Sequence, residues 1–147
     1  MRRSAAAIMD SAERSIALFG AKKALISDVY AAAAECAQED WDGGGAAAIA
    51  PLVVDRAVEL VRALPAHVPL PEVAAEPDGG LSFDWIASKA RVFSLSIGMT
   101  QRLSFAWIDG ADRGHGVVRF DGDSVPLRII EGIHDVMSNR NAAVGTA

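Results

Sequence analysis

Three histidines, one cysteine and a run of glycines are the places where this sequence could do chemistry. His67, His115 and His134 stand apart, and none falls in an HxH or HExxH spacing, so they form no metal set. His115 has Asp109, Asp112 and Arg113 nearby, on a polar, glycine-containing stretch. That makes it the best acid–base candidate. No nucleophile accompanies it. Ser94 and Ser96 lie inside a strand pattern and not in a GxSxG elbow. Asp109-Gly110-Ala111-Asp112 opens like a calcium loop but lacks the later oxygen ligands and the closing glutamate. Cys36 is the single cysteine, which excludes an intramolecular disulfide and a cysteine metal cluster. In its alanine-rich helical run it reads as a small buried hydrophobe.

The glycine run is Glu39-Asp40-Trp41-Asp42-Gly43-Gly44-Gly45. A glycine-rich loop ahead of a helix can hold an anion on its N–H groups. Here three carboxylates crowd the loop, and no Lys-Ser or Lys-Thr follows. The turn is therefore read as structural. Trp41 anchors it to the core, Asp42 belongs to it, and Gly43 and Gly45 supply positive φ. No catalytic residue, metal or cofactor is assigned.

These residues must be positioned by the elements around them. Leu81–Ala87, Val92–Met99 and Leu103–Ile108 alternate apolar and polar residues with the period of half-buried strands. Leu81, Phe83, Trp85, Phe93, Leu95, Ile97, Met99, Leu103, Phe105 and Trp107 fall on one face. Ser82, Asp84, Ser94, Ser96, Arg102 and Ser104 fall on the other, with Gly98 and Ala106. This second face is the candidate partner-binding surface, with Asp84 and Arg102 as its directional polar contacts. Glu72–Glu76 reads as an edge strand, turned by Pro77-Asp78-Gly79-Gly80. Asp109–Gly116 reads as a longer polar loop and Gly116–Phe120 as a short fifth strand.

Helices flank the strands. Ser4–Gln38 is helical, with Ile8, Ala12, Ile16 and Phe19 on one stripe and Leu25, Ile26, Val29, Tyr30 and Ala33 on the next. Gly20 either splits this stretch or sits inside it. Pro51 opens a helix through Leu52–Leu64, which Pro65 ends. Pro65–Pro71 is a stiff crossover. Pro126 opens a last helix to Met137, with Leu127, Ile130, Ile133, His134 and Met137 on one face.

Composition bounds the function. The 147 residues suit one domain, with 51% hydrophobic and 22% charged residues, values normal for a globular protein. The net charge of −5 argues against a nucleic-acid partner or an anionic membrane. Arg2 and Arg3 precede a short apolar run that Asp10 ends, so no signal peptide is read, and no run spans a membrane.

Trp41-Asp42-Gly43-Gly44-Gly45-Ala46 resembles the W-D-G-x-G-A opening of a group of small bacterial proteins. Pro69-Leu70-Pro71 and Pro77–Trp85 resemble that group's P-x-P and D-G-x-[IL]-x-[FL]-[ED]-W run. The likeness covers about Asp40 to Trp107 and departs at Gly44, where the group often has an aromatic residue. It implies a bacterial or phage-type source and an α+β fold, and it carries over no catalytic residue.

The expected fold is α+β: N-terminal helices, a four- to five-stranded antiparallel meander and a C-terminal helix. Residues 1–137 form one domain and 138–147 a flexible tail. The expected function is a cytoplasmic, non-enzymatic protein-binding module of the antitoxin, immunity or inhibitor type. It acts on a larger bacterial assembly, with a protein partner or a second copy on the polar sheet face. The alternative is a small enzyme or ligand binder using the Trp41–Gly45 turn and the Asp109–His115 loop.

Overall fold

Alternation along the chain builds one sheet. In the computed structural model, which describes residues 5–138 with side chains from residue 12 onward, five strands follow as an antiparallel meander. They are β1 Glu72–Ala75, β2 Leu81–Ser88, β3 Arg91–Ile97, β4 Arg102–Asp109 and β5 Asp112–Arg119, and their order in space is their order in sequence. Three helices accompany them among the described residues: α1 Ala5–Glu35, α2 Pro51–Ala63 and α3 Leu127–Met137. The fold is α+β, as the patterning predicts.

The register stacks the apolar side chains in rows. Trp85 lies across from Phe93, and Phe93 across from Trp107. Phe83, Leu95 and Phe105 form the next row; Leu81, Ile97 and Leu103 form a third. Phe93 meets Trp85 edge-on at 6.0 Å and stacks on Phe105 at 5.8 Å. The Trp85 indole donates to the Pro69 carbonyl at 2.7 Å, so the stiff crossover also supplies its acceptor. α2 and α3 cover this face, and α1 packs on α2 and β1. One cluster of buried side chains joins all three helices to the sheet.

Four readings are settled or corrected. The first concerns α1, which runs unbroken through Gly20, one of the two alternatives the sequence leaves open. A helical glycine costs only about 1 kcal/mol, and the flanking residues carry it. Leu25, Val29 and Ala33 of the second stripe are buried, but Ile26 is only partly covered and Tyr30 is exposed, and in the first stripe Ile16 and Phe19 are 72% and 73% exposed. The cause is length. α1 has 31 residues, about 47 Å, whereas its antiparallel neighbour α2 has 13, about 20 Å. Lys22 Nζ donates to the carbonyls of Leu64, at 2.6 Å, and Arg62, so α2 already ends beside Lys22. Ala12 is exposed, and the Ile8 side chain lies outside the described ones.

The second correction is the Asp109–Gly116 loop. Asp109 pairs with Asp112 across a two-residue turn in which Gly110 takes φ +66, as a type II′ turn requires. β5 therefore begins at Asp112. Gly114 and Gly116 are strand residues because aromatic rings lie over them. A Cβ at Gly114 would sit 2.7 Å from the Trp107 ring, and one at Gly116 2.6 Å from Phe105. Third, α3 buries Ile129, Ile133 and Val136, leaving Leu127 and His134 exposed and Ile130 and Met137 only partly covered. Fourth, Met99 is exposed in the turn after β3, and Trp107 is only half-buried, because helix cover stops at β4. Within the expected tail, residues 139–147 lie outside the described residues.

Candidate functional site

Period-2 geometry sends the alternate residues of every strand to the uncovered side of the sheet. The predicted polar face is therefore assembled. Ser82, Ser96 and Ser104 form one row across β2, β3 and β4, extended by Val117 on β5. Asp84, Ser94 and Ala106 form the next, extended by His115. Ser94 Oγ donates to Asp84 Oδ1 at 2.7 Å, and Ser82 Oγ to Oδ2 at 3.4 Å. Both carboxylate oxygens are thus engaged by hydroxyls of the same face. Ile86 (51% exposed), Ile108 (40%) and Val117 (59%) surround this small-residue centre.

Arg102 shares the face but stands at another corner. It lies across from Arg119, whereas Asp84 shares a row with Ala106, four residues further along β4. Four strand residues separate them by about 13 Å, so they form no pair.

A groove of about 550 Å³ opens where the serine row meets the β1–β2 turn and the Ala47–Ala48 segment. Glu76 lines it, with Oε1 buried and without a hydrogen-bond partner among the described residues. Burial pushes its carboxyl up, with Asp78 and Asp84 adding to the shift and a Ser96 hydrogen bond opposing it. Sequence reading missed Glu76 because it sits against the Pro77–Gly80 turn. Its parity with Ala74, which pairs with Ser82, was the available signal.

The Trp41–Gly45 turn holds its own anions. Asp42 Oδ1 accepts from the N–H groups of Gly44, at 2.8 Å, and Ala46, at 3.0 Å; Asp40 Oδ1 accepts from Gly45 at 2.6 Å. The Gly43 N–H goes to the Asp40 carbonyl. The amides that a phosphate would need are already taken. Gly43 and Gly45 have φ of +73 and +90, as expected, and Asp40 joins them at +62. Trp41 packs half-buried on the core and donates to the Ala47 carbonyl at 2.8 Å.

Those backbone hydrogen bonds from Gly44 and Ala46 lower the Asp42 pKa. A lowered folded-state value means the stabilisation is present above the unfolded carboxyl pKa, about 3.9, and is lost as pH falls through the folded value. Asp42→Asn is therefore less stable than wild type at neutral pH. The gap should close progressively below about pH 4 in denaturant titrations run across pH. A pH-independent gap would show that the charge of Asp42 does not hold the turn.

The His115 set is not assembled. Asp109 points to the covered side, where Arg91 Nε lies 3.2 Å away, while His115 lies on the open side. The same Arg91 donates to the carbonyls of Asp135 and Ser138, capping α3. His67, His115 and His134 are all exposed. Cys36 is buried, and burial pushes its thiol up, with Glu35 and Asp42 adding to the shift. Among the described residues no cluster could hold a metal, and no helix is long and apolar enough to cross a membrane.

The chain matches no protein-family model, no curated protein and no solved structure. The Trp41–Gly45 turn and the Asp109–His115 segment do not share a site. The first leads into Ala47, whose N–H donates to Pro77 beside the β1–β2 turn. The second begins at the opposite end of the sheet, about 20 Å away along β4.

Proposed function

We propose that this chain is a non-enzymatic protein-binding module whose contact surface is the open face of the sheet. An antitoxin, immunity or inhibitor role against a larger bacterial assembly in the cytoplasm fits its small size and acidic charge. One observation carries the reading: among the described residues all three helices lie on one side of the sheet, and no helix covers the other side, which only the Ala47–Ala48 segment flanks at one end. Its centre presents Ser94, Ser96 and Ser104, which lose little side-chain entropy on docking. Exposed Ile86, Ile108 and Val117 supply apolar area around them.

The test is Ser96→Arg. The residue faces away from the core, so the fold should survive, and a charge in the centre of the contact should abolish association. A photo-crosslinking side chain placed at Ser104 should capture a partner, or a second copy, and lose it in the Ser96→Arg background. The same crosslinker at Glu59, on the wet face of α2, serves as the negative control. Equal capture at both positions, or capture unaffected by the arginine, would place binding elsewhere.

A second reading, a small-ligand site, is favoured by the unpartnered Glu76 oxygen in the groove. A ligand there would present a hydrogen-bond donor to Glu76. A fragment screen followed by NMR should then shift the amides of Gly79 and Gly98 in wild type but not in Glu76→Gln. Shifts that persist in that variant would set this reading aside.

A further inference from the structure

The last strand of the sheet is left unfinished on two sides. β1, the other edge, is four residues long and buttressed by α1. β5 is eight residues long, and β4 is its main packing neighbour. The two-residue turn makes Asp109 and Asp112 a hydrogen-bonded pair, and the bonds alternate from there. The Phe120 N–H, which donates to the Gln101 carbonyl at 2.8 Å, keeps the same alternation. The backbone groups of Arg113, His115, Val117 and Arg119 consequently point away from the sheet.

The covered side of β5 is thinly built. Gly114 and Gly116 carry no side chains, Trp107 is left half-buried, and among the described residues no helix packs on β5, although Phe105 is itself buried with the Arg128 guanidinium 5.3 Å from its ring centre. A cavity of about 290 Å³ lies here, with Phe93, Phe105, Trp107, Gly132 and Val136 as its apolar wall and Asp109, Asp112, Arg128, Glu131 and Asp135 as its charged rim, so an apolar side chain and not a carboxylate suits it.

Charge says what kind of strand would fit. The chain is acidic overall, yet Arg102, Arg113 and Arg119 gather on the open face along this edge, with His115 between the last two. Two copies pairing antiparallel through β5 in the register that sets Arg113 against Arg119 would bring like charges together. Such charges discourage self-pairing of an edge.

We infer that β5 is a strand-addition site for an extended, acidic segment of a partner protein. Carboxylates at alternate positions face Arg113 and Arg119, and a large apolar residue opposite the glycines enters the cavity against Trp107. This deepens the protein-binding reading by naming how the partner docks and what its segment looks like.

The probe is a synthetic nine-residue peptide that alternates Glu with Val and carries Phe at its centre, capped at both ends. Binding should be saturable and should protect the Arg113, His115, Val117 and Arg119 amides from hydrogen exchange. The same peptide with Lys for Glu should bind about tenfold more weakly, as two exposed charge pairs allow. Val117→Pro removes an outward N–H but no bond to β4, so the fold should stay and peptide binding should vanish. If that variant fails to fold, Arg113→Glu with Arg119→Glu takes its place, with the same expected loss.

Absence of saturable binding would overturn the proposal. So would protection of other amides, or equal binding by the Lys peptide. Concentration-dependent protection of β5 without peptide would mean that the edge pairs with a second copy instead. Ser96→Arg leaves the β5 edge intact, so peptide binding should survive it. Failure of the edge and failure of the open face are thereby separate outcomes.

Discussion

Trp85→Ala should lower stability by about 3–5 kcal/mol in denaturant titration, the range of large-to-small changes in a packed core. The indole is 1% exposed and lies in the middle of β2. Its removal takes away an edge-on contact with Phe93 and leaves the Pro69 carbonyl without its donor. The cavity cannot collapse easily, because Phe93 is itself held in its stack with Phe105. Trp85→Phe should recover part of the loss by refilling volume, but not the hydrogen bond to Pro69. A loss under about 1 kcal/mol for the alanine variant would mean that the aromatic rows are not the core.

Gly132→Ala should also destabilise, and here the sign is the test. On a solvated helix surface the change gains about 1 kcal/mol, because alanine is the better helix former. In α3 the new Cβ would lie 2.5 Å from a ring carbon of Phe93. Phe93 is fully buried and held between Trp85 and Phe105. Either its ring leaves that packing or α3 lifts off the sheet, and such overpacking costs about 1–3 kcal/mol. The expected result is a net loss in thermal and denaturant unfolding, and a gain would show that α3 does not press on Phe93. Helix propensity and packing give opposite signs at this position.

The meander was readable because strand alternation is local. Leu81, Phe83 and Trp85 declare a buried face within five residues, and Pro77–Gly80 declares the reversal before them. Since alternation has two sides, the same pattern placed Ser82, Asp84, Ser94, Ser96, Arg102 and Ser104 together on the open one. The Trp41–Gly45 turn was readable for a similar reason: its glycines and carboxylates close hydrogen bonds within a few residues of one another.

What escaped depended on partners far away in sequence. Gly114 and Gly116 look like loop residues until Trp107 and Phe105 are laid over them from the neighbouring strand. Ile16 and Phe19 form a proper helical stripe, but α2 is too short to cover it. In α3, both Ile129 and Ile130 are apolar, and the docking angle on the sheet decided that Ile129 is the one fully buried. Asp109 and His115 are close in sequence, yet the pleat sends them to opposite sides. By itself the sequence determined the elements apart from the first half of β5 and the continuity of α1 at Gly20, and with them the two faces of the sheet, because these follow from residue periodicity and turn chemistry. Only the tertiary structure decided how far the helices extend over the aromatic face, where Glu76 meets the serine row and which strand edge stays open. Those outcomes depend on the lengths and docking of elements that meet only after the chain has folded.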